Sequence, residues 1–200
     1  DSAPTGVLRD DGSVALVSWR FNAWAKYDNY AQDERVGAQI ARIAGLPLGE
    51  ARQPNGQRVV LEGGAIEVDG AGTILVTEEC LRSRTQERNP GLDRTGYERV
   101  FAELLGAPRT IWLGEGAVGD DTHGHVDDIA RFVARGVVVL AHEGDPADAN
   151  HERSADNLRR LELAGGLDGS LRIVTLPYPR PVIMQGERLP ASYANFYIAN

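Results

Sequence analysis

The sequence predicts an α/β fold, and three observations carry that prediction. Short β-rich runs alternate with amphipathic stretches at helical spacing along the chain. Gly63-Gly64 and Asp69-Gly70 separate three successive apolar runs, as the reversals of a meander would. The strand, helix, strand succession then recurs, which suits repeated modules although no segment repeats at the level of identity.

Taken in order, Val14 to Phe21 (VALVSWRF) is expected to be a strand running into a loop. Asp33 to Ala44 places Val36, Ile40 and Ile43 at helical spacing before Gly45 stops the helix. Strands are expected at Arg58 to Glu62, Ala65 to Val68 and Thr73 to Thr77. Tyr97 to Leu105 has the pattern of a helix, Thr110 to Leu113 of a strand, Asp127 to Ala134 of a helix, and Val137 to Leu140 of a buried strand. A helix over Ser154 to Ala164, a strand over Leu171 to Leu176 and a β-rich run over Ala194 to Ala199 complete the series.

Two hundred residues suffice for one substantial core, so a single domain is expected. With 42% hydrophobic and 25% charged residues and no apolar run of membrane-crossing length, a soluble globular chain is expected. The net charge of −8 argues against a nucleic-acid backbone as partner and mildly favours a cationic ligand. Cys80 is the only cysteine, which rules out an internal disulfide and fits a cytoplasmic protein. The opening residues lack the basic start and apolar middle of a secretory signal.

The densest chemistry lies in Asp121 to Asp128, DTHGHVDD, with two histidines and three carboxylates in eight residues. It has some likeness to the HxHxDH zinc-hydrolase pattern, but position 128 is Asp where that pattern needs His, and further ligands would have to come from His142 or His151, the two other histidines of the chain. Zinc is therefore the alternative and no metal the expectation. A second candidate is Glu62, which ends an apolar run and precedes two glycines that let the backbone turn or approach a ligand. Strand-end carboxylates also commonly just face solvent. A third is Asp1 in DSAPT.

Together these segments resemble the agmatine deiminase family, within the guanidine-modifying group that also holds arginine and bacterial peptidylarginine deiminases. DSAPT matches its D-[ST]-[GA]-P-T loop and WRFNAWAKY its W-x-F-N-x-W segment. VVLEGGAIEVDGAGTILVTEECLRSRTQERNP is similar to its longest block, followed by TIWLGEGAVGDDTHGHVDD and RLPASYANFYIAN.

The resemblance implies a pentein fold, a pseudo-fivefold α/β propeller of ββαβ modules. It implies hydrolysis of agmatine to N-carbamoylputrescine and ammonia through a cysteine thiouronium intermediate, without cofactor or metal. By the same resemblance Asp1 and Asp127 grip the guanidinium nitrogens, His125 is the general acid/base, and Glu62 is the acidic partner that helps position substrate. Carboxylates around a planar guanidinium can take its hydrogens in paired, charge-assisted bonds, and an imidazole, titrating near neutrality, can first protonate leaving ammonia and then activate water. His123 is expected to support this site structurally.

The chain departs from the family pattern at the nucleophile. Cys80, in TEECLRS, stands where the family often carries a cysteine that is not the nucleophile, and the family's Gly-rich His-Cys segment lies beyond the motif YANFYIAN. The expectation is a partial deiminase domain over residues 1–200, cut at both ends, inactive alone, and homo-oligomeric as a whole protein. Its partner would be a small cationic guanidino substrate. An arginine or peptidylarginine substrate and a non-catalytic guanidine-binding remnant are the rival readings.

Overall fold

A computed structural model of the chain describes residues 1–165 and 169–198. Its strands form three sheets of one topology and a small hairpin. In the first, β1 (Thr5–Leu8) pairs antiparallel with β2 (Val14–Ser18), α1 (Val36–Ala44) follows, and β3 (Leu48–Glu50) lies parallel to β2. In the second, β4 (Glu67–Val68) is antiparallel to β5 (Thr73–Thr77). After α2 (Glu78–Arg82) and α3 (Arg94–Leu105), β6 (Arg109–Leu113) runs parallel to β5. In the third, β7 (Ala130–Ala134) is antiparallel to β8 (Val137–His142), α4 (His151–Gly165) follows, and β9 (Arg172–Pro177) is parallel to β8. Among the described residues the order of two antiparallel strands, helix and parallel strand thus occurs three times, with two helices in the second case, and the mixed α/β class expected from the alternation is present. β10 (Ile183–Met184) and β11 (Glu187–Arg188) make the hairpin.

The chain forms two compact units, Asp1–Gly63 with Gln86–Pro108, and Gly64–Thr85 with Arg109–Asn200. In the first unit α1 has the expected spacing, but its buried positions are Gly37 and Ala41, whereas Ile43 is 79% exposed. A Cβ on Gly37 would sit 3.3 Å from the Ser18 hydroxyl, so the helix turns its smallest residues toward β2. α3 starts where the Asp93 carboxylate accepts the Gly96 N–H at 2.8 Å, and it buries Tyr97, Val100 and Phe101, one face at i, i+3 and i+4.

In the second unit the central strands β5 and β8 are nearly continuous apolar runs, as strands covered on both faces require. Leu75, Leu113, Ile129, Leu140 and Leu161 form its core. Each such side chain withdrawn from water contributes roughly 1.5–3 kcal/mol.

Several expected elements differ. The helix expected over Asp127 to Ala134 is instead a 3-10 turn at Val126–Asp128 followed by β7. Val126, Ile129, Ala130 and Val133 satisfy helical spacing. Ala130 and Phe132 also satisfy alternation, and pairing with β8 across the turn at Gly136 decides for the strand. Residues Arg58 to Glu62 form no regular strand, only isolated bridges, Arg20 with Val60 and Arg52 with Arg58. The run expected over Ala65 to Val68 is a 3-10 turn at Gly63–Ala65 leading into the two-residue β4. Residues 194–198 contain no strand, and Ala199 lies outside the described residues. Among the described residues, no helix is long and apolar enough to cross a membrane.

Candidate active site

Of the four residues singled out for guanidinium chemistry, Asp1 and Glu62 belong to the first unit and His125 and Asp127 to the second. In the first, the Gly63 N–H donates to the Asp1 carbonyl at 3.3 Å, tying Asp1 to the residue that follows Glu62. The indole Nε1 of Trp24 donates to Asp1 Oδ2 at 3.1 Å. That indole is presented by three consecutive non-glycine residues in the left-handed region, Ala23, Trp24 and Ala25, with φ of 49°, 60° and 53°. Such a turn costs roughly 1–2 kcal/mol per residue. It is held by the Asn22 side chain, which accepts the Ala25 N–H at 3.0 Å, and by edge-on contacts of Trp24 with Phe21 and Tyr27. A cavity of about 370 Å³ beside it is lined by Asp1, Phe21, Trp24, Tyr27 and Asp33, among others.

Glu62 is fully buried, and its Oε1 accepts the Nε–H of the equally buried Arg88 at 2.9 Å. Its segment is kept extended by backbone bonds, the Arg20 N–H donating to the Val59 carbonyl at 2.9 Å and the Leu61 N–H to the Arg20 carbonyl at 3.3 Å, and by Asn89, whose side chain accepts the Val60 N–H at 2.8 Å and donates to the Val60 carbonyl at 2.7 Å. One amide thus substitutes for a rung of sheet. The hydroxyl of Tyr97 takes the second hydrogen of that amide group at 2.9 Å. Nothing local marks Arg88 and Asn89 as such supports, because an exposed Arg-Asn-Pro loop has the same letters as a buried clamp.

In the second unit, His125 and Asp127 face one small space beside Gly64. A Cβ built on Gly64 would lie 2.4 Å from His125 Nδ1 and 2.9 Å from Asp127 Oδ1. His125 is buried, and burial raises the Asp127 carboxyl above its usual range, against the opposing pull of His125 and Arg131. Arg131 is fixed by Glu67, whose Oε2 accepts its Nε–H at 2.9 Å while Oε1 accepts the Phe132 N–H at 2.9 Å. Asp128, hydrogen-bonded by the Asn195 amide at 2.8 Å, is pushed up to about 6, chiefly by burial.

The loop before His125 doubles back tightly. His123 and Gly124 have φ of 69° and 90°. A Cβ on Gly124 would come within 2.8 Å of the Glu79 side chain, and one on Gly116 within 2.6 Å of Gly124 Cα. Thr77 binds the loop from β5 by donating its hydroxyl hydrogen to the Gly124 carbonyl, while the same oxygen accepts the Cys80 N–H at 3.1 Å. Cys80 is buried in α2. His123 Nδ1 stands 4.0 Å from Glu79 Oε1. His142 ends β8, and His151 opens α4 with Nδ1 2.9 Å from the Glu143 carbonyl.

A family model described as Porphyromonas-type peptidyl-arginine deiminase matches residues 1–200. An agmatine deiminase of Pseudomonas syringae pv. tomato is 38% identical over the whole of this chain, which covers 59% of that relative. The fold is similar to that of an agmatine deiminase of Enterococcus faecalis, with a TM-score of 0.86, 33% identity, and coverage of 100% of this chain and 59% of that one. It is similar also to a C. jejuni agmatine deiminase with substrate bound, with a TM-score of 0.83, 26% identity, and coverage of 100% and 56%. The chain therefore spans somewhat under two thirds of the length of these relatives. Motifs, fold and match over its full length agree that it belongs to the Porphyromonas-type peptidyl-arginine deiminase family.

Proposed function

We propose that this chain carries the substrate-gripping and acid/base residues of a guanidinium C–N hydrolase that converts agmatine and water to N-carbamoylputrescine and ammonia. In this reading it is part of one deiminase domain, a pentein whose ββαβ modules surround a pseudo-fivefold axis; the threefold recurrence of that topology supports it. Asp1 and Asp127 hold the edge of the guanidinium, and Glu62 helps position it. A cysteine thiolate from the remainder of the polypeptide adds to the guanidinium carbon. The C–N bond then breaks, the nitrogen leaves as ammonia with a proton delivered by His125, and a thiouronium remains. Water attacks that carbon as His125 takes back a proton, the C–S bond breaks, and the ureido product leaves with the thiolate restored.

The observation that carries this reading is the shared space beside Gly64, where an imidazole and a carboxylate face one point with no side chain between them. That is the arrangement acid/base work on a bound cation needs. The relatives named agmatine deiminase support the substrate, and the substrate-bound C. jejuni relative, which carries a cysteine-to-serine replacement, supports a reacting cysteine. The test is ammonia release from agmatine by the full-length gene product, abolished by His125→Ala. Zinc bound at one per chain, or no ammonia from any guanidino substrate, would replace this reading by a zinc hydrolase or a guanidine-binding protein. The description of the matching family favours peptidylarginine as the second substrate to assay beside agmatine and arginine.

A further inference from the structure

We infer that Asp120 is the positioning residue of His125, an anionic clamp that fixes the direction of the imidazole without touching substrate. This rests on the acid/base role proposed for His125. Asp120 accepts four hydrogen bonds from its own loop. Oδ1 takes the Thr122 N–H at 2.8 Å and the Thr122 hydroxyl at 2.6 Å. Oδ2 takes the Gly124 N–H at 2.8 Å and the His125 N–H at 2.9 Å. The left-handed backbone at His123 and Gly124 turns these successive N–H groups inward so that they converge on one anion, the geometry of a nest.

All four partners donate, so the group they enclose has to be an acceptor at every contact. An ionised carboxylate satisfies this and an amide does not: whichever way it is turned, an Asn in this place would set its own N–H hydrogens against at least one backbone N–H group. Burial pushes the Asp120 carboxyl up, yet the bonds from Thr122, His125 and Gly124 outweigh it and hold the group below its usual range. The last bond in the set ends on the backbone of His125 itself, whose ring lies against Gly64 and Asp127. A shift of the loop is therefore a shift of the imidazole.

The experiment compares Asp120→Asn and Thr122→Val with the unaltered full-length gene product, using ammonia release from agmatine. Asp120→Asn is expected to lower kcat about 100-fold with KM little changed and to displace the limb of the kcat against pH profile that follows His125. Thr122→Val, which removes only the hydroxyl bond, is expected to retain most activity. An Asp120→Asn protein with lowered thermal stability but unchanged kcat and pH profile would make the residue merely structural and overturn the inference. Should that variant not fold, amide NMR of the unaltered protein decides. The Gly124 and His125 N–H signals are expected to be exchange-protected and to shift together in one acid titration, and their independence from any such titration would overturn the clamp. If the unaltered protein releases no ammonia from any guanidino substrate, the functional reading fails while the amide titration still tests the clamp.

Discussion

The Gly64 backbone and the His125 imidazole approach so closely that a single methyl group on Gly64 would come within 2.4 Å of Nδ1. The φ of Gly64 is not in the left-handed region, so alanine is excluded there by lack of space alone. Gly64→Ala is expected to push the His125 ring and the Asp127 carboxylate outward, lowering kcat of the full-length gene product in the proposed reaction about 100-fold for a stability cost of about 1–3 kcal/mol. Steady-state assay and denaturant unfolding measure the two quantities. Unchanged kcat would mean that the proposed role of His125 does not depend on this contact.

The Arg88 and Glu62 pair, with both side chains fully buried, behaves differently. Removing one partner leaves a buried charge without its counterion, so Arg88→Met is expected to cost about 3–5 kcal/mol. Adding Glu62→Leu to Arg88→Met should recover most of that stability without recovering activity. Equal loss in the single and double variants, read by denaturant midpoint, would refute the charge argument.

The raised carboxyl of Asp128 gives a pH signature. With a folded-state value near 6 against an ordinary 3.8, the folded protein holds a proton that the unfolded chain has lost between about pH 4 and pH 6. Stability should therefore fall as pH rises through that window, by about 2–3 kcal/mol attributable to this group. Asp128→Asn, which keeps an oxygen for the Asn195 amide, should remove that component and leave the variant more stable than the unaltered protein above about pH 6. Asp120, whose carboxyl is held below its usual range, acts in the opposite sense and lower: its contribution is present above pH 3.8 and is lost as pH falls further. Parallel stability curves for the two proteins across pH 4 to 6 would contradict the assignment.

The left-handed turn at Ala23, Trp24 and Ala25 stores strain that glycine relieves. Ala25 is exposed and has φ of 53°, so Ala25→Gly is expected to stabilise the protein by about 1 kcal/mol while leaving the Trp24 bond to Asp1 in place. Thermal unfolding checks the first part. A lowered midpoint would show that the turn carries no such strain.

Local pattern was a good guide where it had one meaning. The run Thr73 to Thr77 is buried throughout and became β5, and the spacing of Tyr97, Val100 and Phe101 became the buried face of α3. Where one pattern fitted two structures, the sequence could not choose. Val126 to Val133 fits a helix and a strand equally, and the pairing partner is remote in kind, not in spacing: β8 exists only once the turn at Gly136 closes. The apolar run before Glu62 has the pattern of an extended segment, but part of what holds it is a side-chain amide 29 residues away, which local pattern does not contain.

Sequence by itself determined the class of this protein, its family, and the carboxylate and imidazole types that make up its candidate site, since composition, spacing and motif order are properties of the chain alone. Tertiary structure decided which of those groups are buried, which space His125 and Asp127 share, and which supports hold them. Those outcomes depend on contacts between distant residues: Asn89 with Val60, Arg88 with Glu62, and Gly64 with His125. No short stretch of sequence contains both sides of such a contact, and the desolvation that shifts Asp127 and Asp128 arises only after the chain has closed around them.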